Sequence, residues 1–266
     1  MVWSRINIIF SRALNFEINL TKTIIFGAIL SYITYFLMHS FADNPAVLSI
    51  IISQNSFGQA VFQGYDFAVT NPAGVLAAMD KFMASPTGQA FTGSVGLYQY
   101  IANGESEATH NIITVHNSRE ELDQAFARNA LSSDWAALLQ EMSEAGTLVN
   151  TNIGEILLSG GSADNITSAN RAGMYYFMSV SNPGAYAQAF SSFIQQNSSV
   201  GQSFLSSSIA DGENPTTHIV VNWANSVGEL LANQPQSLDG WDTYASSVND
   251  MRTVEGTAMV QMLKSW

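Results

Sequence analysis

Ile101–His110 reads IANGESEATH, and Ile209–His218 reads IADGENPTTH. Six of the ten positions are identical without a gap. The match continues on both sides. Asn117-Ser118 returns as Asn225-Ser226 and Val69-Thr70-Asn71-Pro72 as Val180-Ser181-Asn182-Pro183. Gly88-Gln89-Ala90-Phe91 returns as Gly201-Gln202-Ser203-Phe204, and Trp135 as Trp241. Several matches in one order point to a tandem duplication of units of roughly 100 residues. Between them lies Ser159–Asn170, SGGSADNITSAN, a composition that suits a flexible linker. The expected organisation is a leader at 1–42, a first unit at 43–160, a linker at 161–170 and a second unit at 171–266.

Each unit predicts the same elements. Tyr65–Thr70 alternates as a half-buried strand does. Asn71-Pro72 and Asn182-Pro183 then open helices, with Asn as cap and Pro where its missing N–H costs nothing. The first helix sets Val75, Leu76, Met79, Phe82 and Met83 on one face; the second sets Tyr186, Phe190, Phe193 and Ile194 at the same spacing. A second strand ends at Ile101, and Asn103-Gly104 or Asp211-Gly212 makes the turn. A third strand covers Asn111–His116 or Ile219–Ala224. Ser118-x-x-Glu121 and Ser226-x-x-Glu229 read as capping boxes, with Pro235 interrupting the second helical region. Final strands fall near Thr147–Leu158 and Thr253–Leu263. The order β-α-β-β-α-β, twice, is ferredoxin-like. The expected fold is α+β: two tandem ferredoxin-like units whose open sheet faces pair as a single-chain α/β barrel, after an N-terminal apolar helix.

Composition narrows function. The 266 residues are 47% hydrophobic and 11% charged, with no cysteine and a net charge of -12. No cysteine means no disulfide, thiol nucleophile or Cys-ligated metal. The acid excess argues against nucleic acid as a partner. Residues 1–42 carry Arg5, Arg12, Lys22 and Glu17, a charge of +2, so the rest carries -14. Thr23–Met38 is uncharged and mostly apolar, and Ser40 and Ala42 fit a signal-peptidase site. A cleaved signal gives a periplasmic or secreted protein; a retained leader makes residues 23–38 a membrane anchor.

The doubled topology, with strand-to-helix runs such as Val221-Asn222-Trp223-Ala224-Asn225-Ser226 and Ile113–Glu121, resembles the dimeric α/β-barrel superfamily, of the antibiotic-biosynthesis-monooxygenase-like and stress-responsive A/B-barrel type. That resemblance covers about residues 60–266. It implies a range of activities: cofactor-free oxygenases, isomerases, haem enzymes and members without known activity. It carries no catalytic motif onto this chain, and fold alone does not decide chemistry.

The candidate chemistry rests on strand parity. Ile113 and Val115, like Ile219, Val221 and Trp223, form the more apolar set and are expected under helices. His110, Ile112, Thr114 and His116, like His218, Val220, Asn222 and Ala224, form the mixed set expected in a barrel lumen or a pocket lining. The candidate catalytic pair is Asp66 and His110, an Asp–His general base. The candidate ligand-binding residues are Thr70, Thr114, His116, His218, Asn222 and Trp223. Unit two has Phe177 in the place of Asp66, so this site would exist in one half only. The competing reading of His110 and His218 is a hairpin-end histidine bonded to its neighbours.

No metal is expected: HExxH and EF-hand patterns are missing, and His110 and His116 stand about 20 Å apart on a strand. There is no GxSxG and no phosphate loop. No cofactor is expected either. Two functions stay open. One is a small apolar-molecule site, of cofactor-free oxygenase or isomerase type. The other is a non-enzymatic binding or envelope-associated module. Pairing within the chain makes a homodimer unnecessary for closing the barrel and leaves both monomer and homodimer open.

Overall fold

The computed structural model describes residues 60–212 and 214–266. The leader expected at residues 1–42 lies outside them. Among the described residues no helix is long and apolar enough to cross a membrane.

The first half contains β1 (Val61–Val69), α1 (Pro72–Ala84), α2 (Pro86–Gln89), β2 (Ser94–Ala102), β3 (His110–His116), α3 (Arg119–Ala130), α4 (Ser133–Ala145) and β4 (Gly146–Gly161). The second contains β5 (Ala172–Val180), α5 (Pro183–Gln196), β6 (Gln202–Ala210), β7 (His218–Ala224), α6 (Val227–Ala232), α7 (Trp241–Val248) and β8 (Arg252–Ser265). The strands close into one barrel, β1-β3-β2-β8-β5-β7-β6-β4. Every pairing is antiparallel, and β2–β8 and β4–β6 join the halves. Closure removes the sheet edges that an open sheet would expose.

Local chemistry sets the element ends. The Asn71 side chain accepts from Gly74 N at 3.0 Å, and Asn182 from Ala185 N at 3.3 Å. Such caps contribute about 1 kcal/mol each. Ser118 and Ser226 accept from Glu121 N and Glu229 N. The capping boxes are otherwise only half formed: Glu121 accepts from Asn117 N at 2.9 Å, one residue before the cap. Gly104 and Gly212 turn their hairpins with φ of 66° and 58°, a region that penalises a Cβ. Leu131 and Ser132 split the helical region after β3 into α3 and α4, and a 3-10 turn at Pro235–Ser237 splits its counterpart. In the segment expected to be a flexible linker, Asn225 holds the chain by donating to Asn165 O at 2.8 Å and accepting from Thr167 N at 2.8 Å.

Each half buries a core between sheet and helices. Val75, Met79, Ile112, Leu138 and Met142 form the first. Met178, Tyr186, Phe190, Leu205 and Val220 form the second. A third, with Tyr98, Tyr175, Val260 and Met262, occupies the barrel interior. Leu76, expected on the buried face of α1, is 37% exposed.

The expected strand parity is inverted. Ile113, Val115, Ile219 and Val221 line the lumen, whereas Ile112, Thr114 and His116 face the first helix layer. Helices cover the outside of a closed barrel and side chains fill the inside. Both faces are therefore buried, and polarity alone does not tell them apart.

Candidate active site

The larger of the two cavities bordering β3 lies between the first-half sheet and its helices, with a volume of about 840 Å³. β3 supplies Ile112, Thr114 and His116, and α1 supplies Met79, Phe82 and Met83. α3 contributes Arg128 and Asn129, and α4 contributes Trp135 and Met142. The wall is mostly apolar. At its edge Phe126, Leu139 and Leu148 are 49%, 53% and 50% exposed, an apolar mouth.

Four polar atoms on this wall are buried without a partner: Thr114 Oγ1, His116 Nδ1, Arg128 Nε and Asn129 Oδ1. Buried polar atoms without partners are rare in folded proteins and cost about 1–3 kcal/mol each. All four belong to residues that line one apolar cavity, which makes that cavity the candidate site. His116 is 3% exposed. Burial lowers its pKa, Glu121 opposes that shift, and the Arg128 charge adds to it. The ring is therefore neutral near pH 7 and free to take a proton. Arg128 donates one guanidinium N–H to Ala90 O at 3.3 Å, leaving its buried Nε uncommitted.

Thr114 and His116, expected as ligand-binding residues, are thus together, in the helix-side cavity rather than the lumen. Thr70 lies past the end of β1, exposed, and donates to Ala145 O at 3.2 Å. Asp66 and His110 are not brought together. Asp66 is level with Asn111 and faces the lumen, while His110 is level with Phe67, and consecutive strand residues point to opposite faces. His110 Nδ1 shares a hydrogen bond with Thr109 Oγ1 at 2.9 Å; His218 and Thr217 repeat it at 2.9 Å. Neither histidine lines this cavity. Asn222 accepts from Ser203 Oγ at 2.8 Å and borders a cavity of about 310 Å³ under the second-half helices. Trp223 reaches the lumen, with the Arg171 guanidinium 5.6 Å from its ring centroid.

Arg128 and Asn129 escaped the sequence reading. Their signal was legible: they continue the stripe of Leu122 and Ala125 on α3, where a core would call for apolar side chains. Among the described residues no group of three or more His, Asp or Glu is placed to hold a metal.

No protein-family model matches the sequence, and no curated protein matches it. Solved structures do resemble the fold. A candidate monooxygenase of Fusobacterium nucleatum aligns with a TM-score of 0.55 at 15% identity, over 79% of this chain and 94% of its own. One from Lactobacillus acidophilus aligns at 0.52 and 10% identity, over 77% and 93%. An anthrone oxidase-like protein aligns at 0.50 and 13% identity, over 78% and 92%. At such identities the likeness is one of fold: an α+β antiparallel sheet with helices, similar to ferredoxin-like monooxygenase folds.

Proposed function

We propose that the helix-side cavity of the first half binds a small, mostly apolar aromatic molecule and promotes its oxidation by dioxygen without a cofactor. The observation that carries this reading is the set of four unpartnered polar atoms on the apolar wall of one cavity. The fold's likeness to monooxygenase-type structures supports it.

The chemistry asks little of the protein. The methylene of an anthrone, benzylic to two rings and conjugated through them with the ring ketone, is acidic enough for a neutral imidazole to remove one proton. His116 Nδ1 takes that proton. The carbanion delocalises onto the ketone oxygen as an enolate, where Arg128 and Thr114 hold it in a site of low dielectric. The anion then reduces dioxygen and forms a C–O bond. Cleavage of the O–O bond with loss of the second C–H proton leaves a ketone. One oxygen atom stays on carbon, and the other leaves as water with both methylene hydrogens. Excluding water keeps the anion reactive, and the apolar mouth suits such a substrate.

Only Tyr65, His116 and Arg128 on this wall are titratable, a sparse set that equally fits binding without turnover. An oxygen electrode separates the two readings, with anthrone as probe. Catalysis consumes one dioxygen per anthrone and yields anthraquinone faster than buffer does. Uptake at the buffer rate leaves the binding reading. We further propose that the protein acts outside the cytoplasm, on the strength of the leader sequence.

A further inference from the structure

The barrel lumen holds a separate cavity of about 430 Å³, on the other face of the same strands. Its wall is rich in aromatic rings, among them Phe62, Tyr98, Tyr175, Phe177 and Trp223. Two carboxylates also border it, Asp66 and Asp211. Asp66 Oδ1 accepts from the Tyr100 hydroxyl and from Asn111 Nδ2, each at 2.7 Å. Asp211 Oδ1 accepts from Asn150 Nδ2 at 2.9 Å. Neither makes an ion pair among the described residues; both are held by neutral donors. Arg171, the lumen's lining cation, stacks over Trp223.

The lumen wall leaves polar atoms without partners: Arg171 Nε and the Tyr175 hydroxyl, which can donate, and the amide oxygens of Asn111 and Asn152, which accept. Asn111 is 4% exposed and lines the cavity, and its Oδ1 has no partner. Its amide nitrogen is already spent on Asp66. Around Asp66, the groups short of a donor are its own carboxylate, that of Asp211 and the Asn111 amide oxygen, all of them acceptors. An ammonium group is their chemical complement: three donors, no acceptor and the opposite charge. Aromatic faces attract the same cation and give its body an apolar surface. Burial and the Asp211 charge both push the Asp66 pKa up, an electrostatic cost that a bound cation would offset.

We propose that the lumen binds a small primary amine with an aromatic body, its ammonium held by Asp66, Asp211 and the Asn111 amide oxygen. This site is independent of the helix-side cavity. Calorimetric titration of the full chain with 2-phenylethylamine tests it, with 2-phenylethanol and 3-phenylpropionate as isosteres. The amine should bind one per chain, the alcohol at least about tenfold more weakly, and the carboxylate not measurably. Asp66→Asn should weaken the amine at least about tenfold, and Ile113→Trp, which fills the lumen, should abolish binding. His116→Gln should leave amine affinity unchanged, which separates this site from the one under the helices. If either lumen variant fails to fold, Asp211→Asn must show the loss instead. Equal affinity for alcohol and amine, no binding at millimolar amine, or full binding in the folded lumen variants would overturn the proposal.

Discussion

The His116 ring meets the Phe91 ring edge-on, with centroids 5.1 Å apart and planes at 90°. His116 ends β3, and Phe91 follows α2, so the contact ties the imidazole to the loop that leads into β2. An edge contact fixes an aromatic ring without consuming its nitrogens. The imidazole is thereby oriented while Nδ1 stays available.

Replacing that base should cost rate more than affinity. His116→Gln is expected to lower the turnover number for anthrone by about 10²–10⁴-fold. Anaerobic binding of anthrone should change far less. Steady-state oxygen uptake, set beside an anaerobic titration, reads both. A fall in affinity with turnover preserved would assign His116 to binding alone.

Stability should fall on mild acidification. His110, His116 and His218 all have pKa values lowered from 6.5 by burial. The unfolded chain therefore binds more protons than the folded one between the lowered values and 6.5. Their full contribution is present above 6.5 and is lost as pH falls through that window. The urea midpoint should be lower at pH 5.5 than at pH 7.5, and the difference should shrink in His116→Gln. An unchanged midpoint would contradict this.

Asp66 carries the opposite sign. Its pKa is raised, first by burial, so the folded state binds the extra proton and the ionised carboxylate costs stability at neutral pH. Asn at this position keeps an oxygen for Tyr100 and Asn111 without the charge. Asp66→Asn is expected to raise the urea midpoint at pH 7.5. A lower midpoint would mean that the charge itself holds the lumen wall together.

Cavity and core respond differently to a change of volume. Ala125 is 5% exposed and lines the helix-side cavity. Ala125→Phe should block the anthrone site at a stability cost below about 1 kcal/mol, because the void receives the ring. Leu205 is 0% exposed in the second core, and Leu205→Ala should cost about 2–5 kcal/mol. Denaturant titrations of both variants test the contrast.

The repeated IANGESEATH-like segment, the Asn-Pro helix starts and the Gly104 and Gly212 turns made the order of elements readable. Those signals are local, and each specifies its own backbone geometry. Which side of β3 faces inward was not readable. Ile112 and Ile113 are alike in polarity, and both are covered in the barrel. The pairing of Asp66 with His110 failed for the same reason: on neighbouring strands, one residue of offset turns the side chains to opposite faces. Thr114 and His116 were singled out because they alternate on one face of β3 with His110 and Ile112; both line the helix-side cavity. Arg128 and Asn129 continue the Leu122–Ala125 stripe of α3, but a helix-end cation is ordinarily solvated, and that expectation hid them.

The proposed oxidation requires an aromatic substrate to sit in the helix-side cavity. Methyl NMR of methionine-labelled protein, titrated anaerobically with anthrone, reports this directly. Met79, Met83 and Met142 line the helix-side cavity, whereas Met178 and Met262 belong to other cores. The account predicts saturable shifts at Met79, Met83 and Met142, abolished in Ala125→Phe, with Met178 and Met262 unmoved. Shifts confined to Met178 or Met262, or no shift at saturating anthrone, would contradict it.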